Sequence, residues 1–365
     1  MTNLPPAHAS KVSHGCFCCV QKRHSSSSQS RAAATSSPSA KHLIIMVNGI
    51  VGSANNWKFA ADQFTSKYGS EVLVHCSARN SSTLTFDGID VMGHRLAEEV
   101  KEVVSDSPNL TKISFVAHSL GGLIARYAIG QLFSQSETMP ANNTEEQETS
   151  EPLLGTILGL QPANFVTVAT PHIGLRGNWQ LPFLCGIAFL EKLAGWKGYC
   201  VVGRTGKHLF LADGVGSQTP LLRRMVSDCS QGFFMSGLKA FQRRVAYANS
   251  TYDHMVGWRT ATFRREYELP KLRRQPLDPK YPHVIHIEDV PANTEKSSTD
   301  KKPALCPVEE EMISGLRQVA WQRVDVSFAG TVQRFAAHST IQVKYFWMHS
   351  EGADVIAHIV DNFVL

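Results

Sequence analysis

Apolar residues recur along this chain in two rhythms, short continuous runs and stripes at helical spacing. His42-Leu-Ile-Ile-Met-Val47, ended by Asn48-Gly49, has the pattern of a strand buried on both faces. Glu71–His75 reads as a second strand, and Trp57, Phe59, Ala60, Phe64 and Tyr68 between them fall on a helix. Ile89, Met92, Leu96, Val100, Val103 and Val104 form one stripe of an amphipathic helix that stops near Pro108. A strand at Ile113–Ala117, a helix at Leu120–Leu132 and strands at Phe165–Ala169, Arg244–Ala248 and Ile341–Trp347 follow. Strands alternating with helices predict an α/β fold, a mostly parallel sheet with helices on both faces.

Composition changes this picture at three places. Residues 1–40 hold ten serines, four Lys/Arg and no acid, and the first carboxylate of the chain is Asp62. That segment buries too little apolar surface to offset its ordering entropy, so it reads as a disordered tail or as an organelle transit peptide. Residues 41–365 then form the folded domain. Two insertions interrupt it: about 137–155, with five glutamates from Glu137 to Glu151, and about 269–307, rich in Pro, Lys, Arg and Asp, with a short strand at His283–Ile287. Between about 175 and 240 the expectation is a cap or lid, because Trp179, Phe183, Leu184, Ile187, Phe189 and Trp196 crowd a helix-prone stretch.

Bulk properties narrow the function. A net charge of +5 from 36 Lys/Arg against 31 Asp/Glu, with no basic face, gives no support for nucleic-acid binding. Runs such as Leu43–Val47 and Leu184–Leu190 are too short to span a bilayer, so no integral membrane protein is expected. No apolar signal-peptide core opens the sequence, so secretion is not expected either, and the eight cysteines read as thiols. The expected location is chloroplast, if the tail is a transit peptide, or cytoplasm.

The chemistry concentrates at Lys112-Ile-Ser-Phe-Val-Ala-His-Ser-Leu-Gly-Gly-Leu-Ile-Ala-Arg-Tyr127. A strand running into Ser119 and then a helix, with Ala117 and Gly121 two residues to either side, is the pattern of a nucleophile elbow. A serine hydroxyl needs a base, an orienting acid and an oxyanion hole. The glycine-bearing turn Asn48-Gly-Ile-Val-Gly52 offers the Ile50 N–H beside the Leu120 N–H for the hole. Groups at the C-terminal ends of parallel strands supply the rest. Asp253 follows the strand Arg244–Ala248, and His358 follows the strand read at Ile341–Trp347, giving the chain order Ser119, Asp253, His358. His254, His338, His349 and Asp213 compete for the same roles, and His349-x-x-x-x-Asp354 also matches a bare acyltransferase-type spacing.

With these residues in hand the chain resembles the lipase-like putative serine esterase family of the α/β-hydrolases. Val47–Gly52, Ile113–Tyr127, Thr167–Gly174 and Asp253–Arg259 carry the likeness, and Gly352–Phe363 looks most like the plant members. The resemblance implies an α/β-hydrolase fold, hydrolysis of lipid esters, a Ser119/Asp253/His358 triad and no metal or organic cofactor. The implied partners are a lipid ester substrate and the surface of a membrane or lipid droplet. An acyltransferase on the same triad and an inactive lipid-binding scaffold are the alternatives. One departure is Asn48-Gly49, where the family commonly has His-Gly.

Overall fold

The computed structural model describes residues 39–135, 155–175, 202–214, 218–271, 277–292 and 307–365. Its central sheet has seven strands: β1 (His42–Val47), β2 (Val72–Cys76), β3 (Lys112–His118), β4 (Gln161–Val168), β5 (Arg243–Asn249), β6 (Val284–Val290) and β7 (Trp321–Val326). They hydrogen-bond in the order β2-β1-β3-β4-β5-β7-β6. All neighbours are parallel except β6 on β7, which is the antiparallel edge. A separate two-strand pair joins Phe133–Ser134 to Thr156–Ile157.

The period-two alternation of the strands sorts their side chains into two cores. Leu43, Ile45 and Val47 of β1 join Phe115 of β3, Phe165 of β4 and Trp321 of β7 on one face. That face is covered by α2 (Ile89–Ser105), α3 (Leu120–Leu132), α6 (Phe234–Lys239) and α8 (Pro307–Leu316). Ile44 and Met46 point the other way and join Val116, Val166, Tyr247 and Val324. Their cover is α1 (Lys58–Tyr68) and the terminal α11 (Ala353–Asp361), and Phe64 of α1 meets Phe363, just past α11, edge to face at 4.8 Å. Hydrophobic residues on both sides of one strand are what a sheet sandwiched by helices requires. This is the α/β-hydrolase fold.

The other described elements are short: α4 (Gly203–Leu209), α5 (Leu221–Arg224), α7 (Trp258–Thr262), α9 (Ala337–Thr340) and α10 (Phe346–His349). α4, α5 and α6 belong to the stretch read as a cap; the apolar run from Trp179 to Trp196 lies outside the described residues, as do the tail to residue 38, nearly all of the first insertion, and residues 272–276 and 293–306 of the second. The short strand read near His283 is β6. Among the described residues no helix is long and apolar enough to cross a membrane.

One strand read from the sequence is corrected. Ile341–Trp347 is not a strand; it forms a turn running into α10, with Ile341, Gln342 and Val343 buried and Tyr345, Phe346 and Trp347 exposed. The final parallel strand is β7, whose charged Arg323 and Asp325 conceal it in the sequence. Both are buried. Arg264 Nη1 donates to Asp325 at 2.7 Å and Arg264 Nη2 to Glu288 at 2.7 Å, while the Arg323 guanidinium lies 4.8 Å from the Phe263 ring centre. Pairing of this kind is the condition for charge inside a fold.

Candidate active site

The parallel strands β1, β3, β5 and β7 all end on one edge of the sheet, and the residues that follow them meet there. Ser119 directly follows β3 with φ 54° and ψ −127°, a left-handed φ that a non-glycine residue holds only where its surroundings enforce it. The elbow is tight. A Cβ on Gly121 would lie 2.4 Å from the Val47 carbonyl oxygen and 2.7 Å from that of Asn48, so only glycine lets α3 start this close to β1.

His338, in the first turn of α9 after β7, bridges Ser119 and Asp253. Its Nε2 is 3.0 Å from Ser119 Oγ, and its Nδ1 is 3.0 Å from Asp253 Oδ2. A carboxylate only accepts, so Nδ1 carries the proton and Nε2 is free to accept from the serine hydroxyl. Asp253 takes three further bonds, from the Met255 and Val256 N–H groups to Oδ1 at 3.0 and 2.9 Å and from Asn249 Nδ2 to Oδ2 at 2.8 Å. Burial opposes its charge, but His338 and these donors outweigh burial and hold the carboxyl below its ordinary value. It is ionised at neutral pH.

The structure thus brings together Ser119 and Asp253 with His338, and it leaves His358 elsewhere. His358 lies on α11, where its Nδ1 is 2.7 Å from Tyr247 Oη and its ring meets Tyr281 edge to face at 4.8 Å. It lines a separate cavity with Tyr281, Asp361 and Asn362. The sequence-based expectation that His358 stands beside Ser119 is therefore corrected: the imidazole within hydrogen-bonding distance of Ser119 Oγ is that of His338. His338 follows the last parallel strand, β7, which lies earlier in the chain than Ile341–Trp347. Of the other competitors, His254 is exposed, His349 Nδ1 is occupied by the Tyr345 backbone at 3.1 Å, and Asp213 accepts from the Leu221 N–H.

His118, whose part was not legible in the sequence, packs behind the base. Its Nε2 is 2.7 Å from the His338 carbonyl oxygen, and the two rings are 4.6 Å apart. The carbonyl can only accept, so His118 donates from Nε2. Full burial, then the neighbouring His338, push its basicity well below the ordinary histidine value, so it stays neutral. A neutral donor holds the α9 backbone without placing a second charge beside the base.

The turn after β1 faces the serine. Gly49, Ile50 and Gly52 line a small cleft together with Ser119, His338 and Met255. Its shape is pinned from behind: the Val51 N–H donates to Thr85 Oγ1 at 2.9 Å, and Asn48 Nδ2 donates to the Asn80 carbonyl at 2.9 Å. Asn48 thus anchors this loop by a hydrogen bond of its own. Leu120 is the first residue of α3, where N–H groups have no intrahelical acceptor and form the positive end of the helix dipole. Among the described residues no group of three or more His, Cys, Asp or Glu side chains is placed to hold a metal ion.

A serine bonded to a histidine that is bonded to a buried carboxylate, at a strained strand-to-helix turn, is the geometry of a serine hydrolase. The model of one family, described as putative serine esterase (DUF676), matches residues 37–263. The chain belongs to this family. The Saccharomyces cerevisiae protein "Putative lipase ROG1" is 28% identical over 232 residues, 61% of this chain and 28% of its own length. The Schizosaccharomyces pombe protein "Putative lipase C4A8.10" is 26% identical over 230 residues, 60% of this chain and 26% of its own. The chain therefore spans little more than a quarter of these two relatives. Among solved structures, phospholipase PlaB from Legionella pneumophila aligns over 59% of this chain and 40% of its own, at 17% identity and a TM-score of 0.34. The matched family region ends at residue 263, so His338 lies beyond it.

Proposed function

We propose that this member of the serine esterase family hydrolyses carboxylic esters of lipids through an acyl-enzyme on Ser119. The observation that carries the reading is the pair of 3.0 Å contacts linking Ser119, His338 and Asp253. His338 Nε2 takes the Ser119 proton as Oγ attacks the ester carbonyl, and the Ile50 and Leu120 N–H groups receive the negative charge on the former carbonyl oxygen. His338 then protonates the departing alcohol. Water enters, gives a proton to His338, and releases the fatty acid as Ser119 regains its hydrogen. Asp253 fixes the imidazole tautomer and stabilises the imidazolium throughout.

Lipid as substrate rests on the family and on the relatives in two yeasts, each named a putative lipase. The test is an activity profile over acylglycerols, phospholipids and soluble short-chain esters for the parent and Ser119→Ala. Release of fatty acid from one lipid class, absent in Ser119→Ala, is the expected result. A parent inactive on every ester, or a Ser119→Ala variant as active as the parent, refutes the reading. Transfer of the acyl group to an added alcohol in preference to water would assign the acyltransferase alternative.

A further inference from the structure

Among the described residues, large exposed apolar side chains concentrate beside the base. Val332, Phe335, Tyr345, Phe346, Trp347 and Met348 all stand exposed, Val332 at 85% and Trp347 at 81%. They come from the turn Val332–Ala336 and from Tyr345 with the α10 it precedes; the turn and α10 pack on each other and bracket α9 with His338 in the chain. Tyr252, also exposed and adjacent to the acid Asp253, adds its ring 6.3 Å from that of Phe335. An exposed apolar patch of this kind marks an interaction surface.

Its charge is one-sided. From Ser327 to Ser350 the chain carries Arg334 and Lys344 and no Asp or Glu. The Arg334 guanidinium lies over both Phe335 and Tyr252, 4.8 and 5.5 Å from their ring centres. Lys344 Nζ is 5.9 Å from the Tyr345 ring centre, and Lys344 also lines the cleft with Ser339 and Gln342. The first carboxylate beyond this stretch, Glu351, faces His283 at 3.4 Å.

We propose that this rim docks the protein on an anionic phospholipid surface. Val332, Phe335 and Trp347 enter the boundary between headgroups and acyl chains, and Arg334 and Lys344 meet lipid phosphates and carboxylates. Aromatic side chains interleaved with cations are what that boundary selects, and a fluid surface needs no fixed register of donors and acceptors. Continuity with the cleft gives the docking its purpose. The segment that carries His338 is the segment that touches lipid, so a bound molecule opens its active site toward the membrane. The inference rests on the lipid-ester reading for that purpose, while the docking itself is measurable without turnover.

The test uses the full chain with Ser119→Ala, so that vesicles stay intact. Sedimentation with phosphatidylcholine vesicles, with and without phosphatidylserine, reads binding. The expected result is stronger binding with phosphatidylserine, roughly fivefold weakened by Arg334→Gln and abolished by Val332→Ala with Trp347→Ala. Brominated acyl chains should quench the Trp347 contribution to fluorescence, defined by difference from Trp347→Phe. With Ser119 intact, the double variant should hydrolyse a soluble ester as the parent does. Binding that survives the double variant, Trp347 emission indifferent to brominated lipid, or a dimer that the double variant dissolves in place of vesicle binding would each overturn the proposal. A parent without Ser119-dependent turnover of any ester, soluble or lipid, refutes the esterase reading instead and leaves the docking result standing.

Discussion

Two buried histidines compete for one role, and their replacement should have opposite consequences. His338→Ala removes the only imidazole among the described residues within hydrogen-bonding distance of Ser119 Oγ, while Asp253 keeps its Met255, Val256 and Asn249 donors. The site therefore stays formed but lacks a base. The expected fall in kcat is on the order of 10⁴–10⁶-fold, which corresponds to roughly 5–8 kcal/mol of transition-state stabilisation. Because serine and histidine act as a unit, Ser119→Ala combined with His338→Ala should be little worse than either alone. His358→Gln breaks the 2.7 Å bond to Tyr247 Oη in the interior. It should cost about 1–3 kcal/mol of stability with turnover per folded molecule essentially unchanged. Steady-state kinetics on one soluble ester, beside denaturant unfolding of each variant, separates the two effects. An active His338→Ala together with a folded but inactive His358→Gln would refute the assignment of the base.

Other expectations follow from the same geometry. Gly121→Ala should cripple turnover in a protein that still folds, because the added Cβ meets backbone carbonyls of Val47 and Asn48 and must push α3 off β1; near-parent kcat would contradict the elbow argument. Asp325→Ala leaves the fully buried Arg264 without one of its two carboxylates, and urea unfolding should show a loss of about 3–5 kcal/mol. Burial, then Lys112, lower His42 to about 4. Its folded value lies below the unfolded one, so the unfolded chain binds more protons between the two; stability is full above the unfolded value and falls as pH drops toward 4, by up to roughly 3 kcal/mol from this residue. Unfolding at pH 7.5 and pH 5 should show that fall, made shallower by His42→Gln; an equal fall in the variant would assign it to other groups, with the buried His118 and His172 acting in the same direction.

The sequence made the centre of the sheet legible because its signals are local. β1 carries the apolar run Leu43–Val47 and β3 the run Phe115–Ala117, both buried, and α3 begins at a turn whose small residues announce it. Ser119 and the adjacent oxyanion turn share that locality. β7 did not, since its Arg323 and Asp325 are buried only because Arg264, Glu288, Trp258 and His286 reach them from other segments. Conversely, Ile341–Trp347 has a strand's composition, but its aromatic end is spent on the surface. That exchange of one strand for another moved the predicted base from His338 to His358. A signal was present: Trp321, Val324, Val326 and Phe328 form a β-branched and aromatic run closed by Gly330. The bond from His118 to the His338 carbonyl joins residues 220 positions apart and had no local signature at all.

The central claim is that Ser119 is a nucleophile activated by His338. Reaction with a fluorophosphonate, followed by mass mapping of the adduct, tests it most directly, because covalent labelling requires an activated serine and no knowledge of the substrate. The account predicts one adduct, on the peptide carrying Ser119, retained in His358→Gln and lost in His338→Ala and Ser119→Ala. An adduct on another serine, or labelling of His338→Ala at the parent rate, would contradict it.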